Sequence, residues 1–194
     1  MTAEQKKLHD DAVALFAPAD AHAQEGRYAE AESLRRQAAK GLARSVPPQD
    51  PVLLSNLEAL ALLCRMQGKY AEAEPILTQT LAARERAHGT EHRDVGGTLS
   101  ELGDLYVQQG RYPDAEQAYK RVLSIMEKTT GRESKQVAKA LSDYAKLQHK
   151  MGRMDQAKAL MARAVEINGK LESKGSKDAQ SGGLGKWLPF LRKK

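Results

Sequence analysis

Residues 110–116 read Gly-Arg-Tyr-Pro-Asp-Ala-Glu, and nearly the same seven-residue phrase occurs at residues 26–32, 68–74 and 152–158. The glycines that open the four copies are spaced by 42 residues without slippage. A fixed period of roughly 20 to 50 residues is the sequence signature of a repeat protein, in which each repeat is one supersecondary unit. The chain is therefore predicted to contain four copies of one structural unit.

The repeated phrase predicts the corner of a helical hairpin. Glycine suits the left-handed backbone that commonly ends a helix, the aromatic residue packs into the corner, and the small alanine lets the second helix approach the first closely. Asp50 followed by Pro51 is typical of a helix start. Pro18 lacks a backbone donor and should kink or divide the first helix. The predicted repeats cover about residues 3–45, 50–88, 92–129 and 134–171.

Length and charge indicate one elongated repeat domain, residues 1–168, followed by a tail, residues 169–194, that reads as a flexible linker plus an apolar and basic C-terminal segment. A repeat domain buries its core between neighbours, so 5% aromatic and 29% charged residues do not prevent folding. The net charge of +6 divides into −3 for residues 1–131, +4 for residues 132–168 and +5 for the tail. Because the basic character is terminal, no nucleic-acid partner is expected.

The sequence favours a cytoplasmic protein. The first 25 residues lack the basic start and apolar centre of a signal peptide, and no apolar run approaches the roughly 20 residues that span a bilayer. The single cysteine, Cys64, cannot form a disulfide within the chain, which agrees with this compartment.

The third repeat carries a recognisable pattern, formed by Leu99, Leu102, Gly103, Tyr106, Gly110, Tyr112, Ala115, Tyr119, Val122 and Leu123. With it, the chain resembles the tetratricopeptide repeat (TPR) family. The 42-residue period and the run His92 to Val95 resemble the kinesin-light-chain type. The resemblance covers about residues 3–168. It implies an all-α fold, a right-handed TPR superhelix (α-solenoid) of four helix-turn-helix repeats with a C-terminal tail. It also implies a non-enzymatic scaffold or adaptor that needs no cofactor.

In this family the first helices of the hairpins line a concave groove that binds a peptide or helical segment of a partner. Phe16, Glu58, Ser100 and Ser142 stand where kinesin-light-chain repeats usually carry a groove-facing asparagine, so the family's cargo motif is not transferred. The groove residues implied by the resemblance are Phe16, Asp20, Glu58, Leu62, Arg65, Met66, Ser100, Asp104, Val107, Gln108, Lys139, Ser142, Lys146, His149 and Lys150.

The charge of these groove residues changes along the chain. The early ones mix acidic with apolar side chains, whereas the last hairpin contributes Lys139, Lys146 and Lys150. We expect an acidic segment of a protein partner over these lysines, and an apolar or basic segment over the early part. The alternative is that the charges form an ordinary solvated face.

No catalytic or metal site is predicted. His88 and His92 are four residues apart, but Gly89 between them disfavours a helical metal pair. Cys64 occupies the position of Tyr106 in the next repeat, which indicates a packed core thiol. No Ser/His/Asp order, phosphate-binding glycine loop or Cys/His cluster occurs, so enzyme activity is not expected.

The end of the tail, residues 184–194, holds the only tryptophan and one of two phenylalanines. This apolar density indicates a docking segment formed by Trp187, Leu188, Phe190 and Leu191. It would cap the last helix over Leu160, Met161, Ala164 and Ile167, occupy a groove of its own or a second chain and so regulate access or cause self-association, or bind an anionic membrane weakly as a recruited adaptor. An uncapped last helix would be a second route to self-association. A disordered end is the fourth alternative.

Overall fold

The computed structural model describes the backbone of residues 1–184 and the side chains of residues 1–173. In that part of the chain every regular element is an α-helix, as the sequence predicted. The helices are α1 (Ala3–Val13), α2 (Phe16–Gln24), α3 (Tyr28–Ser45), α4 (Pro51–Met66), α5 (Tyr70–His88), α6 (Arg93–Gln108), α7 (Tyr112–Thr130), α8 (Lys135–Lys150) and α9 (Met154–Leu184).

Each copy of the phrase forms a hairpin corner, which confirms the interpretation of the repeat. The four opening glycines have φ between 73° and 76°, a left-handed conformation that a side chain would strain. The N–H of the residue after each glycine donates to the carbonyl five residues earlier at 2.9 Å: Arg27 to His22, Lys69 to Cys64, Arg111 to Tyr106 and Arg153 to Gln148. This bond satisfies a carbonyl at the helix end, so all four corners share one geometry.

The small residues of the repeat lie where helices approach each other closely. Ala31, Ala73 and Ala115 of the phrase are 0% exposed. A Cβ added at Gly103 would lie 2.9 Å from the ring of Tyr119, so a larger residue there would displace the ring. The spacing of these residues in the sequence therefore sets the distance between the paired helices.

The first hairpin is divided, and Pro18 explains where. Helix α1 ends at Val13 and α2 begins at Phe16, with Pro18 in the first turn of α2. A proline ring clashes with the carbonyl four residues earlier, here that of Ala14 in the break. The prediction that Pro18 divides the first helix is therefore confirmed.

The described part of the chain forms two compact units, the first of residues 1–121 and the second beginning at Val122. In the first unit, one core cluster joins α4 and α5 to α6, and its members are Leu60, Ala61, Cys64, Ala73, Leu77, Leu102 and Leu105. A second cluster joins the first two hairpins and contains Ala12, Ala38, Leu42 and Leu53. In the second unit, α8 and α9 form a hairpin with buried Val137, Leu141, Leu147 and Ile167.

The last helix is longer than the sequence analysis predicted. Helix α9 continues to Leu184, whereas the predicted repeat ends near Leu171 and a linker follows it. Lys170 pairs with both Glu133 and Glu166 at 2.8 Å, so ion pairs support the helix at the expected boundary. Among the described helices, none is long and apolar enough to cross a membrane.

Candidate protein-interaction surface

The repeated phrase also builds an ion-pair ladder between neighbouring repeats. Its seventh residue is an acid in the first three copies, and its second residue is basic in all four. Glu32 of the first copy pairs with Lys69 of the second at 2.7 Å, and Glu74 of the second pairs with Arg111 of the third at 2.8 Å. An acid in one repeat thus receives a cation from the next, which the sequence analysis did not foresee.

The first rung of the ladder includes Cys64. Although burial opposes ionisation, hydrogen bonds from Lys69, Arg36 and Gln67 lower the pKa of Glu32 to about 2. Burial raises the pKa of the Cys64 thiol, as expected of a packed core thiol. Potential ligand atoms of Glu32, Cys64 and Glu72 lie within 4.8 Å of one another, but Arg36 pairs with both carboxylates at 2.7 and 2.5 Å. A guanidinium therefore stands where a metal ion would need to bind.

Two predicted groove residues of the first hairpin hold a buried arginine. Arg35 is 7% exposed, and its guanidinium pairs with Asp20 and donates to Asn56 Oδ1 at 3.2 Å. Its Cζ atom lies 4.5 Å from the centroid of the Phe16 ring. Phe16 and Asp20 thus hold Arg35 in place within the first repeat. Arg35 in turn joins that repeat to the second, because Asn56 also donates to the Arg35 carbonyl at 3.0 Å.

A second polar cluster surrounds Glu58, a predicted groove residue of the second hairpin. Arg84 binds both carboxylate oxygens of Glu58, one of them at 2.8 Å, and donates to the Thr98 hydroxyl at 2.8 Å. Burial and repulsion from Glu58 raise the pKa of Glu101 to about 7. Glu58 is therefore an internal partner of Arg84.

Two further predicted groove residues also interact with each other. Arg65 lies 3.7 Å from a carboxylate oxygen of Asp104, which in turn accepts a 2.5 Å hydrogen bond from the Tyr119 hydroxyl. Leu62 and Met66, in contrast, are 44% and 54% exposed. The remaining predicted residues of this unit are half-buried (Ser100, Val107) or exposed (Gln108).

The second unit contains a cleft between α8 and α9, which we call the terminal cleft. It has a volume of about 600 Å³ and lies near the hairpin corner, lined by Ala145, Lys146, His149, Lys150, Met154, Ala157, Lys158 and Met161. A separate cavity of about 390 Å³ on the same hairpin includes Lys139 and Ser142. All five groove residues predicted in the last hairpin line one of these two cavities.

The terminal cleft has an apolar floor and a basic rim. Met154 and Met161 are 46% and 39% exposed, which is unusual for large apolar residues on a packing face. Asp143 pairs with Lys139 at 3.1 Å and with Lys146 at 2.8 Å, so it offsets two of the predicted lysines.

Two lysines of the rim are not offset in this way. Lys150 and Lys158 make no ion pair with any carboxylate whose side chain the structure describes. The sequence analysis did not select Lys158 as a groove residue. The sequence does mark it, because Lys158 is the seventh residue of the fourth phrase, where the first three copies have glutamate.

His88 and His92 lie where α5 ends and α6 begins, and His92 caps the start of α6. The rings of His88 and His92 stack with centroids 4.5 Å apart, and His92 Nδ1 accepts a 3.3 Å hydrogen bond from the Asp94 N–H at the start of α6. That bond occupies one ring nitrogen of His92. Gly89 ends α5 with φ of 83°, so the two histidines do not share one helix.

The predicted docking segment, Trp187, Leu188, Phe190 and Leu191, lies outside the described residues. Its capping, groove, membrane and disordered alternatives therefore stay predictions. Two of the four residues that it was expected to cover are already buried within the hairpin, since Ala164 and Ile167 are 1% and 3% exposed. Met161 and Val165, at 39% and 63% exposed, are open apolar residues of α9, as is Met154.

Sequence comparison matches the tetratricopeptide repeat model to residues 10–86, 50–128 and 94–170, which together cover most of the chain. The protein belongs to the tetratricopeptide repeat family. No curated protein sequence matches the chain. Repeats of this family in general form non-enzymatic scaffolds for protein–protein interaction, and the chain shares that architecture.

Three solved structures share the fold at low sequence identity. BtubC (BKLC) from P. vanneervenii is 19% identical with a TM-score of 0.76, and the match covers 83% of this chain and 64% of that one. A putative kinesin light chain of Podospora anserina, with nearly identical TPR-like repeats, is 22% identical with a TM-score of 0.75, covering 84% and 76%. Aspartyl phosphate phosphatase F from Bacillus subtilis is 16% identical with a TM-score of 0.69, covering 95% and 43%.

These matches confirm the predicted TPR fold and its kinesin-light-chain-like repeat type. The chain spans about two thirds of the length of BtubC and less than half of the phosphatase. At this level of identity the likeness concerns the fold alone, so the function of the chain must be argued from its own surface.

Proposed function

We propose that this protein is a non-enzymatic interaction scaffold, and that its terminal cleft captures an acidic segment of a partner protein. The observation that carries the proposal is the combination of an open apolar floor, formed by Met154 and Met161, with the basic side chains of Lys150 and Lys158 at the rim. Apolar contact supplies affinity, and the surrounding charge selects an acidic partner and accelerates its association.

The polar clusters of the first unit support the choice of this site. Glu58, Arg65 and Asp104 interact with other side chains of the same unit, so a partner would have to displace an existing ion pair or hydrogen bond to reach them. No such pair holds Lys150 or Lys158 among the described side chains. An acidic segment therefore meets a lower desolvation cost at the terminal cleft than at the earlier groove positions.

The proposal is tested with two labelled peptides in fluorescence anisotropy. One combines Asp and Glu with leucines and has a central proline that prevents helix formation; the other replaces each acid with lysine. The full chain should bind the acidic peptide at least about tenfold more tightly, and the difference should shrink as salt is raised. Lys150→Glu should reduce the affinity for the acidic peptide by about tenfold.

The matched control is Lys40→Glu, which makes the same charge change at an exposed position of α3 outside the cleft. Its affinity for the acidic peptide should stay within about twofold of the unmodified chain. Equal affinity for the acidic and basic peptides, or equal losses in Lys40→Glu and Lys150→Glu, would contradict the proposal.

A further inference from the structure

The terminal cleft has an occupied counterpart within the same chain. Each of the residues that line it corresponds, two repeats earlier, to a residue of the α4–α5 hairpin. In that hairpin, Leu77 is 2% exposed because it packs with Leu102 and Leu105 of α6. The equivalent of Leu77 in the terminal cleft, Met161, is 39% exposed.

The occupied counterpart shows what kind of element fits. Helix α6, which is 16 residues long, covers the α4–α5 hairpin and packs against it with Leu102, Leu105 and Tyr106. These positions are spaced as one face of a helix. An acid between them, Asp104, lies 3.7 Å from Arg65, whose equivalent in the terminal cleft is His149.

The charge of the ladder identifies the partner more closely. In the α4–α5 hairpin, Glu74 receives Arg111, which follows α6 at the next corner. The residue of the terminal cleft that is equivalent to Glu74 is Lys158, which has the opposite charge. In the second and third repeats, the residue that pairs with the preceding repeat is Lys69 or Arg111. A helix that docks on the terminal cleft in the same register therefore needs an acid at the equivalent position.

From this register we propose that the terminal cleft binds an amphipathic helix of a partner protein in the position that α6 occupies on the α4–α5 hairpin. The helix carries leucine-like residues at the positions of Leu102 and Leu105, and it ends in an acidic residue that pairs with Lys158. This inference rests on the proposed function, and adds to it the helical conformation and the register of the bound segment.

Residues 185–194 of the chain itself fit the terminal cleft less well than an acidic helix of a partner protein does. Their four cationic residues, Lys186, Arg192, Lys193 and Lys194, would face the basic rim. Helix α9 also runs 23 residues from Met161 to Leu184, about 34 Å at 1.5 Å per residue. Ten extended residues span at most about 36 Å, which leaves no length for a helix in the cleft.

The inference is tested with a peptide of residues 93–111 that carries Arg111→Glu. Its matched control is the same peptide with Arg111 retained. By anisotropy, the full chain should prefer the Arg111→Glu peptide by about tenfold, and circular dichroism should show a gain of helix on binding. The chain carrying Lys158→Glu should reverse the preference, because the acid and the base have then exchanged places.

Two variants of α9 locate the binding. Met161→Glu places a charge on the apolar floor and should abolish binding of the Arg111→Glu peptide. Val165→Glu is the control, since Val165 is exposed on the same helix but does not line the cleft. Binding of the peptide should be unchanged in that variant.

The outcomes separate this inference from the proposed function. Equal binding of both 93–111 peptides, a preference that Lys158→Glu leaves unaltered, or no helix gain overturns the helical register. If the proline-containing acidic peptide still binds in that case, the proposed function survives alone. A dimer of the full chain that Met161→Glu dissociates would make a second copy the occupant and would also overturn the inference.

Discussion

The α4–α5 hairpin and the α8–α9 hairpin share one repeat pattern but differ in what covers them. In the first, α6 buries Leu77 to 2% exposure and Arg111 completes the ladder at Glu74. In the second, Met161 remains 39% exposed and Lys158 replaces the ladder acid. The comparison shows that one surface is a structural interface where a helix covers it, and that it stays open where no described residue covers it. The open surface is the one that we propose as the binding site.

The difference also explains where partner binding is least costly. Side chains that the sequence assigned to the early groove, such as Glu58 and Asp104, bond to other elements of their own unit. Removing one member of such a pair leaves the other without compensation. The terminal cleft is free of that constraint at Lys150 and Lys158, because neither pairs with a carboxylate within the described side chains.

The largest expected effect is a difference between equivalent substitutions in the two hairpins. Leu77→Ala removes a side chain that is 2% exposed and should lower the free energy of unfolding by about 2–5 kcal/mol. Met161→Ala should lower it by about 1 kcal/mol or less, because its side chain is already open to solvent. Urea denaturation followed by circular dichroism measures both. Equal losses would show that the terminal cleft is covered in solution.

An intermediate effect is expected at Glu101, in the polar cluster of the first unit. Burial and Glu58 raise its pKa to about 7 from 4.5, so the folded state binds the proton more tightly. Stability from this group is fully present below about pH 4.5 and is lost as the pH rises through about 7. The loss should amount to about 1–3 kcal/mol.

Glu101→Gln provides the control, because it cannot ionise. The difference in unfolding free energy between the two proteins should favour Glu101→Gln increasingly from pH 5 to pH 8. Urea denaturation at each pH measures that difference. A constant difference over this range would mean that Glu101 is not perturbed by its surroundings.

The smallest effect is expected from the ladder between Glu74 and Arg111. Because Arg111 is exposed, the pair should be weak and screened by salt. A double-mutant cycle with Glu74→Gln and Arg111→Gln, followed by thermal denaturation, should show a small favourable coupling that vanishes in about 1 M NaCl. Coupling that persists in high salt would show that the pair is shielded from solvent.

The sequence predicted the hairpins well, but it did not show which side chains pair with the predicted groove residues. Corner glycines and capping residues such as Asp50 act through local backbone geometry, so their positions could be inferred from spacing alone. The pairing of Arg84 with Glu58 joins residues 26 positions apart, on α5 and α4. Which of several nearby charges meets which depends on helix packing, and the one-dimensional pattern does not contain that distance.

By itself, the sequence determined the class of fold, since the 42-residue period places a glycine at the same point of each copy. In the structure each of these glycines has a positive φ, so the same hairpin corner is repeated along the chain. It also held the change from glutamate to lysine at position 158. Only the tertiary structure decided that Arg35 is buried against Asp20 and Phe16, and that Met161 is not covered. The physical reason is that local conformation follows from neighbouring residues, whereas burial and ion pairing depend on which surfaces the packed helices bring together.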